Sequence, residues 1–115
     1  MLITLSGITG PLHGLCGVYQ EHHNQESKVA VYKFLGVFDG FADWILYFCA
    51  NHNNWVIGRQ IDFPSGRCWI CSASLTEGAD TCQSPCRCTH WKVFNGSTWE
   101  VQQQVKIEPL QYVSV

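Results

Sequence analysis

Charge is what this chain has least of. Only 14% of its 115 residues are charged, seven Lys and Arg against nine acids, for a formal net charge of −2. The cations Lys28, Lys33, Arg59, Arg67, Arg87, Lys92 and Lys106 are scattered, with no basic run or stripe. A nucleic-acid partner needs a concentrated positive footprint, so none is expected. Adhesion to an anionic membrane surface fails for the same reason. No apolar run approaches the roughly 20 residues that cross a bilayer as a helix, so membrane insertion is not expected. Low-complexity tracts, internal repeats and any capped stretch with a sustained 3.6-residue apolar period are also missing, which argues against helical and repeat architectures. The opening 1–7 is too short for a signal peptide and lacks its basic front. A secreted or extracellular form would therefore have lost its leader before Met1; a cytosolic form would need none.

What is present is aromatic and apolar: 46% hydrophobic residues, 13% aromatic, with five tryptophans. A chain of this length buries roughly two thirds of its unfolded surface, enough for one core and one domain over residues 1–115. Short β-rich runs at 2–5, 17–20, 29–34, 44–49, 55–58, 68–71, 91–94, 99–101 and 105–107 are separated by Gly, Asn, Asp and Pro. Strand and turn signals at this spacing predict an all-β fold, a compact single-domain antiparallel sandwich or barrel of seven to nine short strands. Asn95-Gly96 between two such runs predicts a hairpin with a type I′ turn. The segment 41–50 is the best helical rival, but its aromatic content and the flanking Gly40 and Asn51 favour a strand.

The order Leu-Ser-Gly (5–7), Gly-Val-Tyr (17–19), Val-Tyr-Lys (31–33), Trp-Ile-Leu-Tyr (44–47), Trp-Val-Ile-Gly (55–58), Pro85, Trp-Lys-Val (91–93) and Trp99 spans nearly the whole chain. It resembles a recurring, largely uncharacterised small β-rich domain of protist, algal and marine-invertebrate proteins. The resemblance implies a fold and brings no activity with it, because its anchors are aromatic and glycine positions. The cysteine content departs from that pattern.

Five of the seven cysteines lie between 68 and 88. Three readings of this cluster stay open. Outside the cell, Cys68, Cys71, Cys82, Cys86 and Cys88 would form disulfides, the last three reaching back to Cys68, Cys71 or further with at least one of the seven cysteines left unpaired in a monomer, while Cys16 and Cys49 are either a further pair or two buried thiols. Cys68-x2-Cys71 is alternatively a zinc half-site, with Cys82, Cys86, Cys88 and His90 as sources of the other half. Thiol redox chemistry is the least supported, since such a pair needs a helix N-terminus to lower its first thiol's pKa and this one falls in an expected strand.

No enzymatic constellation stands out. The histidines His13, His22, His23, His52 and His90 read as loop residues. Asp39 and Asp43 lack the contrasting environments that a catalytic carboxylate pair requires. The expected role is a non-catalytic binding module without a cofactor, with carbohydrate as the leading ligand class. An exposed indole packs on the apolar face of a sugar while polar loop groups bind its hydroxyls. Trp69 is the tryptophan expected outside the main core, and His52, Asn53, Asn54, His22 and Asn24 supply polar loops. The runner-up is a disulfide-stabilised secreted module that binds or inhibits extracellular proteins; a structural zinc domain comes third. A single shallow site binds weakly, so homo-oligomers or tandem copies would add avidity.

Overall fold

The computed structural model describes residues 1–22, 30–73 and 84–110. These residues form an all-β protein: β1 (Leu2–Ser6), β2 (Gly17–His22), β3 (Val31–Phe34), β4 (Trp44–Cys49), β5 (Asn54–Arg59), β6 (Ile70–Cys71), β7 (Trp91–Phe94), β8 (Trp99–Gln102) and β9 (Lys106–Pro109), with short 3-10 turns and no α-helix among the described residues. All nine strands belong to one antiparallel sheet in the order β8-β7-β6-β5-β4-β3-β2-β1-β9. Consecutive strands are neighbours from β1 to β8, and β9 returns to pair with β1. The expected sandwich-or-barrel resolves into a curled half-barrel.

The curl follows from chain length. β8 and β9 are the two edges of the sheet, yet only residues 103–105 join them. Such a link spans at most roughly 14 Å, far less than the width of a flat nine-stranded sheet with neighbours about 4.8 Å apart. The edges are therefore drawn round towards each other. No ladder forms between them. Instead the buried Gln102 side chain joins the β8 end to the segment after β1: its Oε1 accepts from the Thr9 N–H at 2.9 Å, and its Nε2 donates to the Thr9 carbonyl at 3.0 Å.

Period-two alternation sends one face of each strand into the hollow of the curl. Ile3 and Leu5, Tyr19, Tyr32 and Phe34, Trp44 and Leu46, Trp55 and Ile57, Ile70, Trp91 and Val93, and Ile107 meet there in one core. β4 and β5 are buried on both faces. Their outer residues Ile45, Tyr47, Cys49 and Val56, with Val31, form a second cluster against which Phe63, Cys68 and Cys71 pack. The segment 60–68 is thus a cover over the convex face. It is tied down where the Gly66 N–H donates to the Tyr47 hydroxyl at 3.0 Å and where Phe63 meets the Tyr47 ring edge-on at 4.9 Å.

The segment 44–49 is a strand, as its aromatic content predicts. The run 68–71 contributes only Ile70–Cys71, because the chain is still turning off the cover at Trp69. The run 29–34 is a strand from Val31; Val29 lies outside the described residues. The hairpin around Asn95-Gly96 forms, but not with a type I′ turn. That turn needs positive φ at both residues, and only Gly96 has it. Asn95 instead folds its Oδ1 onto the Ser97 and Thr98 N–H groups, both at 2.9 Å. The two-residue turn with positive φ at both positions is Asp39-Gly40, where Phe38 and Phe41 exchange backbone hydrogen bonds of 2.9 and 3.0 Å.

Candidate functional site

The Asp39-Gly40 turn matters because it sets Phe41 over the end of the half-barrel where β4 begins and β5 ends. Trp44 and Arg59 are register partners there. The Trp44 Nε1–H donates to the Phe38 carbonyl at 3.0 Å, and the two rings meet edge-on at 5.6 Å, which fixes the turn against the core. The Arg59 guanidinium lies 3.6 Å from the Phe41 ring centroid and 5.8 Å from that of Trp44, a cation–π stack that holds Phe41 in place. Arg59 also grips Asp43 with a two-pronged pair, Nε to Oδ1 and Nη2 to Oδ2, the latter at 3.0 Å. That pairing holds the Asp43 carboxyl below the usual carboxylate range.

Around this stack is an open groove of about 450 Å³, lined by Asp39, Phe41, Trp44, Arg59, Ile61, Asp62, Arg67 and Trp69. Its chemistry is mixed: three aromatic rings, two guanidiniums, two carboxylates and one aliphatic chain. Phe41 is 44% exposed and Ile61 83% exposed, large apolar groups left to solvent beside charged neighbours. Trp69 is partly buried, and its ring continues through Phe94 at 5.9 Å to Trp99 at 5.6 Å on edge strand β8. Exposed rings beside charged groups form a surface with the chemistry to stack planar or ring-shaped groups and to offer both donors and acceptors around them.

The Asp43–Arg59 pair makes a pH-dependent prediction. A depressed folded pKa contributes stability that is present above the unfolded carboxyl value, about 3.9, and is lost as pH falls through the folded value. Unfolding free energies of D43N and wild type from urea titration should therefore differ at pH 7, by about 0.2–1 kcal/mol for a partly exposed pair, and converge in strong acid. A difference that persists unchanged at pH 2 would show that the pair contributes nothing through its charge.

Of the residues singled out from sequence, Trp69 alone lines the groove. His22 ends β2 and is exposed. Asn24 lies outside the described residues. His52 and Asn53 sit in the exposed β4–β5 turn. Asn54 is not in a loop: it opens β5, is buried, and donates from Nδ2 to the Ser72 carbonyl at 3.2 Å. His90 is exposed, with Nδ1 2.9 Å from the Thr89 hydroxyl. Sequence reasoning missed Phe41, Arg59, Ile61, Asp62 and Arg67. The available signal was the Phe-Asp-Gly-Phe turn, which displays two aromatic rings at a bend.

The expected disulfides are not present among the described residues: Cys16, Cys49, Cys68, Cys71, Cys86 and Cys88 are free thiols, and Cys82 lies outside them. The two-faced burial of the sheet divides the described thiols into two groups. Cys16, Cys86 and Cys88 pack against the main core, whereas Cys49, Cys68 and Cys71 belong to the outer cluster. The same separation sets Cys16 apart from Cys49, and Cys86 and Cys88 apart from Cys68 and Cys71; the expected pairings of Cys82, and its place in the zinc set with Cys68, Cys71, Cys86, Cys88 and His90, lie outside the described residues. Within the outer cluster Cys68 hydrogen-bonds Cys71. The bond and burial push the Cys68 thiol up; the same bond, helped by Lys92 and opposed by burial, holds the Cys71 thiol below its ordinary value.

The fold class these observations define is an antiparallel half-barrel with an aromatic, charge-lined groove at one end. No family model, no curated protein and no solved structure matches this chain. Among the described residues no helix is long and apolar enough to cross a membrane.

Proposed function

We propose that the protein is a non-catalytic binding module whose ligand is carbohydrate, taken up in the groove beside Trp69. The observation that supports this reading is the coexistence of solvent-accessible aromatic rings with two guanidinium and two carboxylate groups in one open hollow, Arg59 among them held by Asp43. Rings pack on the apolar face of a pyranose, and Arg59, Arg67, Asp39 and Asp62 line the same groove as donors and acceptors for its hydroxyls. The cation–π stack on Phe41 limits the ordering cost of binding, because one platform is already held in place. The resemblance to a recurring small β-rich domain carries no activity, so the reading rests on the groove.

A glycan array followed by calorimetry tests it. Wild type should bind at least one glycan class weakly, and Trp69→Ala should lose about tenfold in affinity, 1.4 kcal/mol, while remaining folded at the assay temperature with a lowered Tm. A blank array at high protein concentration, or equal affinity of wild type and W69A, would remove the carbohydrate reading. Edge strand β8, with Trp99 44% and Val101 50% exposed, supports a second reading as a protein-interaction module that pairs with an extended segment of an extracellular partner.

A further inference from the structure

The outer cysteine cluster holds a ligand spacing that crosses the cover. Along the chain it is Cys49-x2-His52-x15-Cys68-x2-Cys71, two short pairs separated as in double-knuckle zinc modules. The first pair caps the β4–β5 hairpin: Cys49 ends β4, and Asn53, at φ 54°, turns the chain back into β5. Cys49 Sγ lies 3.5 Å from His52 Nδ1. With zinc–sulfur bonds of about 2.3 Å and zinc–nitrogen bonds of about 2.05 Å, a tetrahedral ion separates its sulfur and nitrogen ligands by about 3.5 Å. The pair already has the length of one edge of that tetrahedron. The second pair flanks β6, with Cys68 two residues before the strand and Cys71 at its end, both packed on the outer cluster.

The two pairs are close. Cys49, Cys68 and Cys71 share one buried cluster. The cover backbone presses on the first pair two residues before it reaches Cys68: a Cβ on Gly66 would stand 2.6 Å from Cys49 Sγ and 2.8 Å from His52 Nδ1. Among the described residues no three such ligands are already gathered to hold an ion, so the pairs stand as separate half-sites that the cover must close.

We propose that Cys49, His52, Cys68 and Cys71 form a structural zinc site with three sulfur ligands and one imidazole, which pins the 60–68 cover to the outer face of β4 and β5. Binding displaces the thiol protons to solvent and involves no electron transfer. Soft thiolates with one imidazole select zinc over magnesium or calcium. The site goes beyond the groove reading and does not depend on it, because the cover can be pinned whether or not the groove binds sugar.

The test uses the full chain purified under reducing conditions with zinc, then native mass spectrometry and cobalt substitution. One zinc per chain is expected, a gain of roughly 65 Da less the displaced protons. Cobalt in its place should give thiolate charge-transfer bands of a tetrahedral site. C49S, C68S and C71S should each lose the metal, while C16S, C86S and C88S keep it. H52C guards against variants that merely fail to fold: it should retain one metal, with cobalt bands shifted towards those of a four-thiolate site. A metal-free wild type, retention of the metal in C49S, unshifted bands in H52C, loss of metal in C86S or C88S, or a Cys68–Cys71 disulfide in place of the ion would each overturn the assignment.

Discussion

Trp55→Ala is expected to lower the unfolding free energy by about 3–5 kcal/mol, the range for removing a fully buried aromatic. Trp55 is the central residue of the inner face: it is 0% exposed and packs 6.1 Å from the Tyr32 ring and 5.8 Å from the Phe48 ring, centroid to centroid. Its backbone is also fixed, since its N–H donates to the buried Ser72 hydroxyl at 3.0 Å. Truncation leaves a hollow between strands that cannot move inward, because β4 and β5 are packed on both faces. Against a total stability of about 5–15 kcal/mol the loss is a large fraction. It should appear as a fall in Tm of roughly 12–25 °C. Trp99→Ala is the matched control on an exposed edge and should change Tm by only a few degrees. Equal effects from the two variants would contradict the assigned core.

Gly7→Ala should cost about 2–4 kcal/mol, far more than the addition of one methyl group suggests. Two causes add. Gly7 has φ 89°, a conformation that L side chains rarely adopt. A Cβ there would also overlap the Gln104 carbonyl in the link that joins β8 to β9. The second contribution is that of overpacking, about 1–3 kcal/mol. Gly10→Ala separates them, because Gly10 has nearly the same φ, 90°, with nothing within 4 Å of its would-be Cβ. Denaturant midpoints should rank wild type, G10A and G7A in falling order of stability. Faster hydrogen exchange at the Thr9 and Val105 amides in G7A would place the damage at the closure of the curl. Equal destabilisation by both substitutions would mean that the close approach of residues 7 and 104 contributes nothing.

Several features of the fold are legible in the residues alone. Strands at 44–49 and 91–94 follow from aromatic and β-branched runs bounded by turn residues, a signal contained within a few neighbours. Trp69 stands apart from the fully buried Trp55 and Trp91, because it lies in a short apolar run among cysteines and not in a long alternating strand. It still packs against the main core from the groove side. Gln102 is not legible. Nothing near it announces that its carboxamide will meet Thr9, 93 residues away in sequence. Asn95-Gly96 misleads for a local reason: the Asn95 side chain satisfies the turn's own N–H groups, and that competes with the two-residue turn.

The cysteines divide the same way. The spacing from Cys49 through His52 to Cys71 is written in the chain, yet the density of thiols between 68 and 88 draws attention to partners nearby in sequence. Only the two-sided burial of β4 and β5 separates Cys49, Cys68 and Cys71 from Cys16, Cys86 and Cys88. The groove is wholly tertiary. Phe41 comes from a turn, Arg59 from the end of β5, Ile61 and Arg67 from the cover, and they share no periodicity.

Local patterning is enough to make this protein all-β, to give it material for one aromatic core, and to leave it without concentrated charge. Period-two alternation and turn chemistry act over a few residues, so they can be read without knowledge of the rest. The curl of the sheet is a long-range outcome, imposed by a link too short to span it flat. So is the choice of which thiols share a face and which rings and charges meet in the groove. Those outcomes depend on how nine strands close on one another, and no local window contains that information.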